Sequence, residues 1–191
     1  VTAAVEHSSG GMKEVWFDYP ARYASFVRAD ADVFLPTLLL VAMVIKEDLE
    51  TELPVSAELA LGMHEAQDVL TAWFPKRLRR AKLVFKNVTR KPEGPGEYVG
   101  AFFSAGVDSF FTALRSLSGQ NVSTPRITHL IHINGAEQPL NIIAKGRAEL
   151  MAEVAGQLGF ELITGITNVR DVYPCDYGLY LNGPVLASVG L

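Results

Sequence analysis

Ser104, Gly106, Asp108 and Ser109 lie within six positions of one another, between the apolar run Tyr98 to Phe103 and the run Phe110-Phe111-Thr112-Ala113-Leu114. Two hydroxyls, one carboxylate and a backbone of small residues at a strand-to-helix junction suit a polyphosphate. Small residues let N–H groups approach phosphate oxygens, and the helix that follows presents its unsatisfied N–H groups and the positive end of its dipole. Two familiar phosphate loops do not fit. No lysine lies between Tyr98 and Leu114, which excludes a G-x-x-x-x-G-K-[ST] loop, and Gly106 lacks glycine partners at the dinucleotide spacing. A capped turn, with Asp108 or Ser109 as N-cap and Gly106 as a plain turn residue, is the structural alternative.

The segment resembles the S-G-G-x-D-S loop of the PP-loop ATP pyrophosphatases, the adenylating superfamily that includes N-type synthetases, tRNA thiolases and deazaguanine-nitrile synthases. Ser104, Gly106, Asp108 and Ser109 carry the match, and Ala105 replaces the glycine usual at the second position of the motif. If that position needs φ > 0, alanine there costs roughly 1 kcal/mol. The resemblance implies that Phe103, Ser104, Ala105, Gly106, Val107, Asp108 and Ser109 line the phosphates of ATP. It assigns Ser104, Asp108 and Ser109 the catalytic roles and Asp108 the orientation of Mg2+. It implies an adenine site at Ile131, His132 and Ile133, and a closing segment at Gly183. The implied reaction is attack by a substrate oxygen on the α-phosphate, release of pyrophosphate, and displacement of AMP by a second nucleophile. A small molecule or a tRNA-linked group is the expected acceptor. The rival readings are a non-catalytic adenine-nucleotide-binding module and a structural or interaction protein.

Several residues around this loop carry weaker signals. His132 and Asn134 can line the adenine pocket, while His129 and His132 can equally be polar tips on a strand whose apolar members face the core. Glu137 and Gln138 follow in a loop, and Arg170 and Asp171 sit where a substrate or magnesium could be met, or form a surface ion pair. His64 reads as a surface or packing histidine. Cys175, the sole cysteine, allows no internal disulfide and reads as a packed or loop residue; a reducing cytoplasm fits. The run Lys76-Arg77-Leu78-Arg79-Arg80-Ala81-Lys82 reads as a solvated helix-to-strand connection. With a net charge of −4, the 191-residue chain has no general attraction to DNA or anionic membrane.

The elements that must position this chemistry form two units. Residues 1–90 read as a smaller α/β domain of unknown role, 91–97 as a breaker-rich linker, and 98–191 as the PP-loop ATP-binding domain. The first contains a strand over Glu14 to Tyr19, a helix capped by Asp30 or Asp32 and an exposed strand from Leu49 to Val55. A helix capped by Ser56 and a strand from Ala81 to Val88 complete it. The apolar run Val33 to Ile45 is too short to span a bilayer and reads as a buried helix. In the second, strand and helix alternate: strand, loop and helix over 98–117, a strand from Arg126 to Asn134, a helix from Leu140 to Leu158 and a strand from Phe160 to Ile166. That alternation predicts a doubly wound parallel sheet with the loop at the carboxyl end of its first strand, and the resemblance implies that the sheet is adenine nucleotide alpha hydrolase-like. The absence of an initial methionine and an ending inside an apolar helix suggest a fragment, with the sheet incomplete at its C-terminus. Self-association into a homo-oligomer is expected from such an edge.

Overall fold

A β-hairpin opens the chain, with β1 (Thr2–Glu6) antiparallel to β2 (Met12–Asp18) across a turn where Gly10 and Gly11 take φ of 80° and 112°. The computed structural model describes residues 1–28, 30–90, 98–119, 126–140, 146–173 and 175–191. β1 was not expected, because its small residues carry little strand signal; pairing with β2 supplies what local propensity does not. Two short 3-10 turns then lead into α1 (Leu35–Ile45), which is apolar on every side and buries Leu35 through Met43 except Pro36. Each fully buried Leu or Met contributes about 1.5–3 kcal/mol. Asp32 does not cap α1. Its buried Oδ1 accepts instead from the Ser56 N–H at 2.9 Å.

β3 (Leu49–Ser56), α2 (Ala57–Trp73) and β4 (Leu83–Thr89) form a right-sized βαβ unit whose two strands pair parallel in a sheet of their own. Ser56 caps α2 as expected, its hydroxyl accepting from Leu59 N at 3.3 Å. The basic run connects α2 to β4, and its guanidiniums are tied at the surface, Arg79 to Asp48 and Arg80 to Asp68.

The main sheet has five strands in the order β1-β2-β7-β6-β5, where β5 is Gly100–Phe102, β6 His129–Asn134 and β7 Glu161–Thr167. β5, β6 and β7 are parallel, whereas β2 joins β7 antiparallel, so the sheet is mixed rather than parallel throughout. The expected linker 91–97 lies outside the described residues; two strands of the sheet precede it and three follow it. α3 (Val107–Leu117) follows β5 and α4 (Arg147–Gln157) precedes β7, while residues 141–145 of the expected helix lie outside the description. α5 (Val169–Val172) follows β7, and a π turn over Tyr177–Leu181 leads into α6 (Asn182–Gly190).

Strand alternation divides the core between the two faces of the sheet. Leu130 and Leu162 pack with Ala113 of α3 and Met151 and Ala155 of α4. Val15, Phe17 and Ile133 point the other way, onto α1 and onto Val185 of α6. α1 and α6 are further joined by Thr37 and Ser188, whose buried hydroxyls are 2.9 Å apart. No helix among the described residues is long and apolar enough to cross a membrane.

Candidate functional site

The loop after β5 is held from below and turns sharply. Phe103 is buried, its N–H donates to Ile131 O at 2.7 Å, and its ring meets Phe110 edge-on at 5.1 Å, which fixes the start of the loop to β6 and to α3. Ala105 then adopts φ 60°, in the left-handed region that favours glycine, at the position where the resembled loop carries one. Gly106 is extended, with φ −85° and ψ 166°, and is itself the N-cap of α3. Neither Asp108 nor Ser109 caps the helix. The Ser109 hydroxyl instead donates to Gly106 O at 2.8 Å, and Ser104 Oγ accepts from Gly106 N at 3.3 Å.

These contacts leave the amino end of α3 open. The first intrahelical bond at this end is Phe110 N to Gly106 O, so the N–H groups of Val107, Asp108 and Ser109 precede any acceptor in the helix. Ser104 through Asp108 are exposed, and Val107 is 84% exposed. Ser104, Ala105, Gly106, Val107, Asp108 and Ser109 therefore form one accessible rim that presents N–H groups, with Phe103 beneath it. On its outer surface α3 also exposes Phe111, Leu114 and Leu117, and among the described residues β5 pairs only with β6.

β6 delivers two further groups to the same end of the sheet. His132 Nδ1 lies 3.1 Å from Phe103 O, and its Nε2 lies 3.2 Å from Asn134 Oδ1. A carbonyl can only accept, so Nδ1 carries the proton, and Nε2 faces the side-chain amide of Asn134. Burial pushes the His132 pKa below its usual 6.5, against the opposing pull of Phe103 O and Asn134. The residue that sequence reasoning missed is Arg147, at the start of α4. Its Nη2 reaches Ser104 O at 3.5 Å, and it lines a cleft of about 20 Å3 with His132, Ile133, Asn134, Gly135, Glu137 and Gln138. A lone arginine on an amphipathic helix reads as a solvated face; only the loop crossing brings it to Ser104.

No family model, curated protein or solved structure matches this chain.

The remaining expected site residues are distributed differently. Ile133 belongs to the core against α1, and Ile131 gives its carbonyl to Phe103 while its side chain lines an apolar pocket with Tyr19, Tyr98 and Gly100. Gly183 lies in the first turn of α6, next to Pro184, whose carbonyl accepts from Thr37 of α1, and it does not line the cleft. His129 sits at the far end of β6, 3.7 Å from Glu161 and edge-on to Tyr98, so the two histidines of this strand serve different ends of the sheet. Asp171 Oδ2 accepts from Leu140 N at 3.5 Å, beyond the carboxyl end of β7. His64 is exposed on α2, and Cys175 is half-buried, its thiol pKa raised by burial.

Among the described residues no group of three or more His, Cys, Asp or Glu side chains could hold a metal ion. The donor set at the loop, one exposed carboxylate beside two hydroxyls, fits Mg2+ of the kind that phosphates carry and one or two carboxylates complete. It does not fit a resident all-protein metal site. The preformed cleft is also far smaller than the 300–1,000 Å3 or so of an ordinary small-molecule pocket, so what is built here is an open rim rather than an enclosed chamber.

Proposed function

We propose that the chain binds ATP with its phosphates on the Ser104–Ser109 rim, in the manner of the PP-loop ATP pyrophosphatases. The observation that carries this is the left-handed Ala105. It turns the backbone so that the rim, the amino end of α3 and Arg147 face one spot at the carboxyl end of β5. Ligands of doubly wound sheets bind there, and a doubly wound arrangement is the finer reading of the parallel β5, β6 and β7 with helices on both faces.

In this reading the free N–H groups of α3 hold the phosphates that leave as pyrophosphate, and Ser104 and Ser109 keep the loop in shape while offering hydroxyls. Arg147 offsets developing negative charge. Asp108 would hold Mg2+, which supplies charge neutralisation between phosphates. Neutral His132, with Ile131 and Ile133 behind it, borders the adenine, and a substrate oxygen on a small molecule or tRNA attacks the α-phosphate. A cytoplasmic location and a homo-oligomer built on the exposed stripe of α3 complete the proposal.

The test is calorimetric titration with Mg-ATP. Asp108→Ala, Gly106→Val and Arg147→Ala should each weaken binding at least tenfold without altering thermal unfolding by more than a few degrees. Unchanged affinity in all three would reject the site, and ADP plus phosphate as products would reject the reaction. The small cleft favours one second reading, an adenine-nucleotide-binding module without turnover, in which ATP binds but no pyrophosphate is released.

A further inference from the structure

A second cavity lies away from the Ser104–Ser109 rim. About 850 Å3 opens between the edge of β1, the edge of β3 and the face of α1 beneath them, with Phe34, Leu35, Leu38 and Ala42 in its floor. Both bordering strands have a free side. Among the described residues β1 pairs only with β2, and β3 only with β4.

The two edges are not equivalent. Val1 and Phe17 exchange both backbone hydrogen bonds, at 2.8 and 3.0 Å, so the alternation of an antiparallel pair turns Ala3 and Val5 toward β2 and leaves the N–H and C=O of Ala4 and Glu6 on the outer side. Ala4 and Glu6 line the cavity. β1 has no proline, no lysine and no bulge, the usual means of blunting an edge. β3 has a proline, and its register shifts between Thr51 and Pro54. The open hydrogen-bonding template is therefore β1.

Volume, chemistry and charge then specify the occupant. A residue of a packed sheet layer fills about 160 Å3, from spacings of about 3.4, 4.8 and 10 Å, so the cavity takes about five residues, the length of β1. Side chains turned inward from such a strand would meet the α1 floor, with Ile45 and Leu53 exposed at its rim, 41% and 51%. Side chains turned outward would run between exposed Glu6 on one border and exposed Glu50 on the other. Four carboxylates, Glu6, Glu47, Asp48 and Glu50, line the groove against the two cations Lys46 and Arg79, with Asp48 paired to Arg79 and Glu50 to Lys86 at its border.

We propose that this groove receives an extended segment of a partner protein, added to the outer edge of β1 as a further strand, apolar on the face toward α1 and basic on the face toward solvent. A second copy of the chain fits less well, since pairing β1 with β1 sets two acidic walls against each other. The mode is strand addition, in which the main chain supplies affinity and alternate side chains supply specificity.

The experiment uses the whole chain and a blocked heptapeptide of alternating lysine and valine, with an alternating glutamate and valine peptide as control. Amide exchange followed by NMR should show protection of the Ala4 and Glu6 amides on adding the lysine peptide, and the glutamate peptide should bind at least tenfold more weakly. Ala4→Pro removes an outward N–H only and should cost tenfold or more in affinity while the β2 amides keep their protection. Glu6→Lys together with Glu50→Lys should reverse the preference between the two peptides. Equal binding of both peptides, or binding without protection of Ala4 and Glu6, would overturn the proposal. So would concentration-dependent dimerisation that Ala4→Pro abolishes, since it would give the edge to a second copy. Should Ala4→Pro fail to fold, the amide protection and the peptide comparison in the native chain still decide.

Discussion

Replacing Ala105 by glycine tests the strain argument at the Ser104–Ser109 loop directly. Ala105 holds φ 60° with a Cβ that crowds its own backbone, which costs about 1–2 kcal/mol relative to glycine. Against this, glycine adds freedom to the unfolded chain and costs about 0.4–1 kcal/mol. The difference is a net gain of about 0.5–1 kcal/mol for Ala105→Gly, or about 1–4 °C in Tm for a chain of this size. Differential scanning calorimetry measures it. The companion Ala105→Val should fall by more than the glycine variant rises, because a β-branched side chain tolerates the left-handed region worst. Gly106, extended at φ −85°, gains nothing from its glycine in this respect, and its alanine variant strains only the 3.2 Å approach to Ser104 Oγ. An Ala105→Gly protein whose Tm is unchanged or lower would refute the account of the loop as a strained turn.

Three other perturbations have signs fixed by the structure. Gly135→Ala should cost about 3 kcal/mol or more, because its Cβ would stand 1.8 Å from Thr167 O, whereas Gly159→Ala, with φ 80° in open space, should cost about 1 kcal/mol; chemical denaturation compares them. Thr37→Val removes one hydroxyl of a buried pair and leaves Ser188 Oγ short of a partner, so unfolding should be easier by about 1–3 kcal/mol, read as a lower Tm. The burial that lowers the His132 pKa gives a pH dependence: the unfolded chain takes up protons first as pH falls below 6.5, so this stabilisation is present above 6.5 and lost as pH falls through the folded value. Denaturation midpoints between pH 7 and pH 5 should therefore drop less in His132→Gln than in the native chain.

Much of the fold was legible because its signals are local. Ser56 announces α2 by its hydroxyl, the apolar run after Asp32 announces α1, and the strand-loop-helix order around Ser104 places the rim. What stayed illegible depends on contacts between distant residues. The sequence of β1 has no periodicity strong enough to declare a strand, and its partner β2 shows nothing that would set it antiparallel against β7. Arg147 looks like any surface cation until the crossover from β6 sets it against Ser104. The helix cap at Gly106 was hidden for a different reason: Asp108 and Ser109 are better capping residues, yet the left-handed Ala105 advances the helix start by two or three residues and leaves them inside it.

The junction of β2 with β7 bears on how this chain reaches its structure. Only Phe17 with Thr167 and Asp18 with Ile166 are paired there, and the Thr167 hydroxyl that reinforces the junction reaches Trp16 O across 151 positions of sequence. The loop that must close to make this contact spans most of the chain, and it returns few hydrogen bonds for that closure. β5, β6 and β7 with their helices can assemble from neighbouring segments, as can the unit of β3, α2 and β4. Docking of the hairpin is then the late, slow event, so Thr167→Val should speed unfolding while scarcely changing the folding rates of either local unit.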